Sequence, residues 1–294
     1  MNWDDLRIFL SVARNSQLLK AAKQLGVNHT TISRRLTALE HQLNTKLVTR
    51  STTGTQLTDA GERLLHHVEQ VEAQMLQAQA QIGGEDVQLS GTIRIAAPDG
   101  FGVSFLAKHL PQLSEKFPDL TLQLVPVSRN FSLSQREADI AITVERPAQG
   151  RLIAKKLTDY KLRLYAHKDY LKRHGHPLDI HDILVHHRKI DYVDDLISTP
   201  ALAYSHEISE DWHSNFQVSS TLGQLEAIIA GGGIGILHSY IARTYPDLVV
   251  VLPEKAIIRS YWLSYHENLK GIRRIHEVAN FISQSIETNR AAFL

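Results

Sequence analysis

The chain has 294 residues, 43% hydrophobic and 21% charged, with a formal net charge of +1 and no cysteine. That length exceeds one small core and suits two or three units, the composition excludes a disordered chain, and no apolar run approaches the roughly eighteen residues of a membrane span. The missing cysteine removes disulfides, thiolate nucleophiles and thiol redox sensing, and Asp4 and Asp5 stand where a signal peptide needs a basic flank, so a cytoplasmic protein is expected.

The near-neutral total conceals an asymmetry. Residues 1–58 carry eight Lys or Arg against three acids, a net of +5, and residues 59–90 carry one base against six acids, a net of −5. The basic end suits a polyanionic partner. Within it the pattern from Trp3 onward predicts three short helices. Ala22, Leu25, Val27, Ile32, Leu36 and Leu39 recur mostly at intervals of three to five, broken at Gly26. They predict a helix from about Leu18 to Leu25, a turn, and a helix from about His29 to Leu43, which are the lengths and tight joint of a helix-turn-helix. "LVTRSTTGTQLT" then alternates around Thr53-Gly54 as a two-stranded wing.

In such a unit the second helix enters the major groove with its N-terminal residues at the base edges. Asn28, His29, Thr30, Thr31, Ser33 and Arg34 are the candidates there, and Arg35 is a further DNA-binding candidate on the same helix. Arg34 can take guanine in bidentate fashion, and the threonine methyls can touch thymine. Arg50, Thr52 and Thr53 of the wing would reach phosphates. The competing account is an ordinary helical hairpin with a solvated face, which the adjoining wing and the local charge disfavour.

Thr58 is placed to cap a further helix. In it Leu64, Val68, Val71, Met75, Ala78 and Ile82 follow the a/d rhythm of a coiled coil, over about 36 Å at about 1.5 Å per residue. "GGED" stops it at Gly83-Gly84. A dimer-forming linker over 59–89 is expected, the alternative being a helix packed on its own domain.

From Ser90 short strands alternate with helices. "TIRIAA", "LTLQLVPV" and "DIAITV" read as strands, with helices over Phe101 to Lys116 and Leu133 to Ala138. A second set follows: "YKLRLYAH", "ILVHHRKIDYV" and "FQVSS", a helix from Leu222 to Ala230, then "IGILH", "LVVVL" and "SYWLSYH", and a last helix from about Gly271. This is parallel α/β grammar in two lobes, about 90–160 plus 268–294 and about 161–267. The glycines from Gly231 to Gly235 follow a helix and precede a strand, with no P-loop lysine, and predict a tight turn. Sixteen histidines, among them His186-His187 in a predicted strand, give no i, i+4 pair beside a carboxylate, so no metal and no cofactor are expected.

The stretch from "DLRIFLSVARNS" through "AAKQLGV", "TTISRRLTALEHQL", Arg50 and "LTDAG" resembles the N-terminal signature of LysR-type transcriptional regulators, and "AGGGIGIL" and the strand order after Ser90 resemble their effector-binding domain. The resemblance spans essentially the whole chain. It implies an α+β multidomain bacterial regulator: a winged helix-turn-helix (1–58), a long linker helix and hinge (59–89), and a two-lobed α/β effector-binding domain (90–294) resembling periplasmic binding proteins. It further implies a double-stranded DNA operator, a small-molecule effector, homodimers or homotetramers, contact with RNA polymerase, and no membrane association. Ser33 and Arg34 match the family's base-reading helix. His29 and Thr30 replace its usual Gln and Pro, and Ser51-Thr52-Thr53 lack the extra basic residue often found after the matched Arg50.

In paired α/β lobes ligands sit beyond the C-terminal strand ends, where helix N-termini offer free N–H groups. Two such ends are present, Pro98-Asp99-Gly100-Phe101 and Ser219-Ser220-Thr221. The resemblance adds Val127, Ser128 and Arg129 after the second strand, and Val144, Glu145 and Arg146 after "DIAITV". Asp99 stands near a position where relatives often carry Ser or Thr to receive a carboxylate. It is either an N-cap or a cleft carboxylate which, with Glu145, favours a cationic, hydroxylated or amide effector unless Arg129 restores an anion subsite. The hydroxyls of Ser219, Ser220 and Thr221 likewise cap a helix or meet ligand. An enzyme joined to a DNA-binding head finds no support, because "GxSxG", a cysteine nucleophile and a strand-to-helix "GxGxxG" are all missing. A ligand-independent architectural DNA-binding protein remains the alternative.

Overall fold

The computed structural model describes residues 1–15, 17–51, 54–82, 89–127, 138–147, 151–197 and 199–294. The chain forms two compact units, one built on Met1–Val87 and the other on Gln88–Leu133, Ala138–Glu267 and Arg273–Leu294.

The first unit begins with α1 (Trp3–Asn15), whose first turn holds Asp4 and Asp5 and whose last holds Arg14, the arrangement that the helix dipole favours. Next come α2 (Leu18–Leu25) and α3 (His29–Gln42). Gly26 joins them at a φ of +66°, a left-handed conformation, and the Val27 N–H reaches the Ala22 carbonyl at 3.1 Å in a Schellman-type stop. Asn28 caps α3 by accepting the Thr30 N–H at 3.1 Å. Phe9, Leu10, Ala21, Ile32, Leu39 and Leu47 are buried in one core. Strands β1 (Val48–Ser51) and β2 (Gly54–Leu57) pair antiparallel, with Val48 opposite Leu57.

Thr58 caps α4 (Asp59–Ile82), accepting the Gly61 N–H at 3.1 Å and donating to the Lys46 carbonyl at 2.7 Å. The expected heptad stripe divides. Leu64 and Val68, with Ala60 and Leu65, pack into the core of α1 to α3, while Val71 and Met75 remain exposed at 44% and 40%. Arg14 grips Glu72 with two hydrogen bonds, 2.7 and 3.2 Å, and comes within 3.8 Å of Glu69. The first turns of α4 therefore belong to the helical head, and the helix is not a free linker along its whole length.

The second unit is organised by one eight-stranded sheet of order β4-β3-β5-β10-β6-β9-β7-β8. Strand β3 (Gly91–Pro98) runs directly into α5 (Asp99–Phe101), a π turn (Gly102–Leu106) and α6 (Ala107–Lys116), and β4 (Leu120–Val127) and β5 (Ile140–Thr143) flank it in parallel. Then come β6 (Leu152–His167), α7 (Lys168–His174), α8 (Ile180–His186), β7 (Lys189–Asp191), α9 (Tyr204–Ile208) and β8 (Phe216–Gln217). The chain closes with α10 (Thr221–Ile229), β9 (Ile234–His238), α11 (Ser239–Ala242), β10 (Leu248–His266), α12 (Arg273–Thr288) and α13 (Arg290–Phe293).

Three expectations are corrected. Strands β6 and β10, 16 and 19 residues long, are continuous, and the sheet is mixed because they pair antiparallel with each other and with β9 and β5. Pro253, which reads as a strand end, is accommodated in an irregularity between Val251 and Ala256, where a missing N–H costs no ladder bond. "ILVHH" is the helix α8, capped by Asp179 through the Asp182 N–H at 2.8 Å, so His186 ends a helix and His187 follows it. The helix expected over Leu133 to Ala138 and the stop at Gly83-Gly84 lie outside the described residues.

At Gly61 an added Cβ would lie 2.1 Å from the Leu47 carbonyl oxygen. Gly61→Ala is expected to destabilise the head by about 1–3 kcal/mol, the usual scale of overpacking. Its melting midpoint in the full chain should fall by several degrees, and an unchanged midpoint would contradict this packing.

Candidate nucleic-acid interface and ligand cleft

On the head, the N-terminal end of α3 is a projecting polar surface. Asn28, His29, Thr30 and Arg34 are exposed, and Thr31 and Ser33 are half-buried. The Asn28 carbonyl oxygen accepts from both the Thr30 N–H and the Thr30 hydroxyl, each at 3.1 Å, so only its amide NH₂ is left for an outside partner. The seven candidates separate at the two arginines. Arg34 has no partner among the described residues, whereas Arg35 is bound to Asp5 at 2.8 Å and lies 3.9 Å from Asp4. Arg35 fastens α3 to α1. The backbone of Arg50 pairs with Thr55 in the wing; its side chain, with Thr52 and Thr53, lies outside the described residues.

A residue not anticipated from sequence fixes the wing. Glu40, buried at the end of α3, accepts the N–H groups of Leu47 (2.9 Å) and Val48 (3.2 Å) and the Lys46 ammonium (2.6 Å). Burial works against its charge, but Lys46 and the two backbone donors outweigh burial and hold the carboxyl below the usual carboxylate range. The wing is thereby hung from α3.

In the second unit the two expected helix starts, at α5 and α10, meet. The Ser220 hydroxyl donates to Asp99 Oδ2 at 2.6 Å and accepts the Gly223 N–H at 3.2 Å, so Ser220 is the cap of α10. Asp99 is not a cap: Pro98 holds that position, and the Asp99 carboxylate reaches across to Ser220. Beside it an added Cβ on Gly100 would lie 2.8 Å from Thr221 Cγ2, and the Thr221 hydroxyl is buried 2.6 Å from that of Tyr192. Phe101 is buried among Phe105, Tyr261 and Phe293 and lies behind the cleft wall. Ser219 is half-buried; Ser128 and Arg129 lie outside the described residues.

Open space lies alongside. A groove of about 400 Å³ is lined by Val144, Glu145, Pro200, Ala201, Glu207, Ile258, Arg259, Ser260 and Trp262. Val144 and Glu145 are implied by the family resemblance; the other linings lie on a 3-10 turn (Pro200–Leu202), on α9 and on β10, which carry no motif. Among the described residues no three His, Asp or Glu come together as a metal site, and no helix is long and apolar enough to cross a membrane.

With this geometry in hand, comparison with known proteins is specific. Residues 3–62 match the bacterial regulatory helix-turn-helix family of lysR type, and residues 87–286 match the LysR substrate binding domain. Over 292 residues the chain is 25% identical to the HTH-type transcriptional activator TtdR of Escherichia coli K12, covering 95% of this chain and 92% of that protein. Its fold is similar to that of a full-length OxyR variant from Pseudomonas aeruginosa, with a TM-score of 0.68, 17% identity and 97% of each chain covered. It is similar also to full-length LysG from Corynebacterium glutamicum with bound effector Arg, with a TM-score of 0.65, 19% identity, and 98% of this chain and 99% of that one covered.

Under the cleft, His238 is buried between the rings of Tyr160 (5.1 Å) and Tyr240 (5.7 Å), and its Nδ1 has no partner among the described residues. Burial pushes its pKa down to about 4, against the pull of the Asp99 charge. The unfolded chain takes this proton near pH 6.5 and the folded chain only near 4. The resulting stability, roughly 3 kcal/mol, is complete above pH 6.5 and is lost as the pH falls towards 4. His238→Phe is expected to flatten the decline of the melting midpoint between pH 7 and pH 4.5; curves parallel to the wild type would refute the assignment.

Proposed function

Because this chain belongs to the LysR family of bacterial transcriptional regulators, we propose that it reads an operator through the exposed start of α3 and answers to a small molecule held in the groove of its second unit. The observation that carries the proposal is the division of labour on α3: Arg34 is exposed and has no partner among the described residues, while Arg35 and Glu40 fix the helix against α1 and the wing. A reading helix held on both flanks meets base edges without first losing its own mobility.

In this account residues 1–58 bind DNA, 59–89 link and dimerise, and 90–294 hold the effector in lobes of about 90–160 plus 268–294 and about 161–267. Exposed Val71 and Met75 on α4 offer the apolar contact for a second copy, and pairs of dimers give a tetramer. His29, Thr30, Thr31 and Ser33 join Arg34 at the bases, and Arg50, Thr52 and Thr53 reach phosphates. The protein acts by binding and not by catalysis, in the cytoplasm where its DNA lies, and adjusts contact with RNA polymerase.

Arg34→Ala should cost about 1–3 kcal/mol of operator affinity and relax base preference at one position in each half-site. Arg50→Ala should weaken operator and random duplex equally and lower the salt dependence. Quantitative footprinting at several salt concentrations separates the two. A footprint unchanged by Arg34→Ala would overturn the proposed use of α3.

A further inference from the structure

Taken as the effector cleft of a regulator, the groove has a chemistry that narrows its ligand. Its lining contains two carboxylates, Glu145 and Glu207, and one guanidinium, Arg259. Arg259 is already engaged: it forms a close ion pair with Glu207 and donates to the carbonyls of Ala201 at 3.2 Å and Ile258 at 3.1 Å. Its plane also lies over the Tyr204 ring, 5.9 Å from the centroid. The side chain of Glu145 has no partner among the described residues and is exposed. The remaining wall is apolar, formed by Val144, Pro200, Ala201, Ile258 and the Trp262 indole, a ring that already carries the Arg146 guanidinium at 5.8 Å. Among the described residues the groove thus offers one lining carboxylate without a partner, Glu145, and an indole already shown to hold a guanidinium, that of Arg146, which an incoming cation would have to displace or share.

The neighbouring helix starts, where an effector carboxylate would find free N–H groups, already hold a carboxylate. Strands β3 and β5 run parallel with Ala96 beside Ala141, so Asp99 and Val144 leave neighbouring strands at the same level. At that level Asp99 takes the Ser220 hydroxyl, and Gly100 packs against Thr221. We propose that this cleft takes a small organic cation without a carboxylate, an amine or guanidinium on a short apolar stem, with its charge on Glu145 and Asp99 standing where an effector carboxylate would otherwise sit. This rests on the regulator reading above and deepens it.

The test is a thermal-shift and calorimetric titration of the full chain with agmatine, putrescine, L-arginine, succinate and inorganic phosphate at millimolar concentrations. Agmatine or putrescine should bind at least about tenfold more tightly than succinate or phosphate, and agmatine more tightly than L-arginine, which differs from it by one carboxylate. Glu145→Gln should weaken the amine by about tenfold or more while its melting midpoint without ligand stays near that of the wild type. Asp99→Ser should bring L-arginine level with agmatine or ahead of it. Stabilisation by succinate or phosphate in place of the amines, no response to either amine, or an unaltered Glu145→Gln titration would each overturn the inference. Footprinting of the ligand-free protein runs alongside. A specific footprint with the wrong ligand class removes only this inference, and loss of any footprint removes the regulator reading itself.

Discussion

The second unit depends on the antiparallel ladder between β6 and β10. The two strands pair from Leu152 opposite His266 to His167 opposite Leu248, and each carries a further strand on its outer edge, β9 on β6 and β5 on β10. Both halves of the sheet are therefore built on the same two strands, and cross-strand pairs fix what each half presents to the other. Tyr160 and Tyr261 stack 4.1 Å apart at the middle of the ladder, and Phe101 rests on Tyr261 at 4.4 Å. A register shift lies between Tyr261 and Trp262. Irregularities of this kind re-aim side chains, and here one aromatic ring is buried beneath the helix starts while the next lines the groove.

The buried rings also set the electrical character of the cleft floor. Burial raises the hydroxyls of Tyr160, Tyr192, Tyr204, Tyr240 and Tyr261 above the ordinary tyrosine range, and it keeps His238 unprotonated at neutral pH. The layer of rings beneath the helix starts therefore carries no charge of its own at neutral pH, and the Arg259 guanidinium lies over it at Tyr204.

The head was legible in the sequence because its signals are local. Period, a left-handed glycine and a capping asparagine fix α2, the turn and α3 within a dozen residues of each other. The long strands were not legible: Pro253 and the charged run at Lys155-Lys156 break the alternation, and only pairing across the sheet makes each strand continuous. The apolar run of α8 is ambiguous for the same reason, since a short stretch of Ile, Leu and Val suits either element until its cap is seen. At the candidate sites, Arg34 and Arg35 differ by one position and no chemistry. Arg35 lies three residues after Ile32 and four before Leu39, on the flank of the buried stripe, a phase that could have marked it as the one facing α1. The bond between Asp99 and Ser220 joins residues 121 apart in sequence, and no local pattern announces it.

The close seating of Gly61 under Leu47 and the grip of Arg14 on Glu72 give the first turns of α4 no play against the head. A helix of 24 residues measures about 36 Å. It works as a stiff lever whose short end carries α3, so a tilt of about 5° imposed at Ile82 moves the head by about 3 Å, close to the rise of a single base step. Applied to two heads on one duplex, a displacement of that size shifts each head by about one base step.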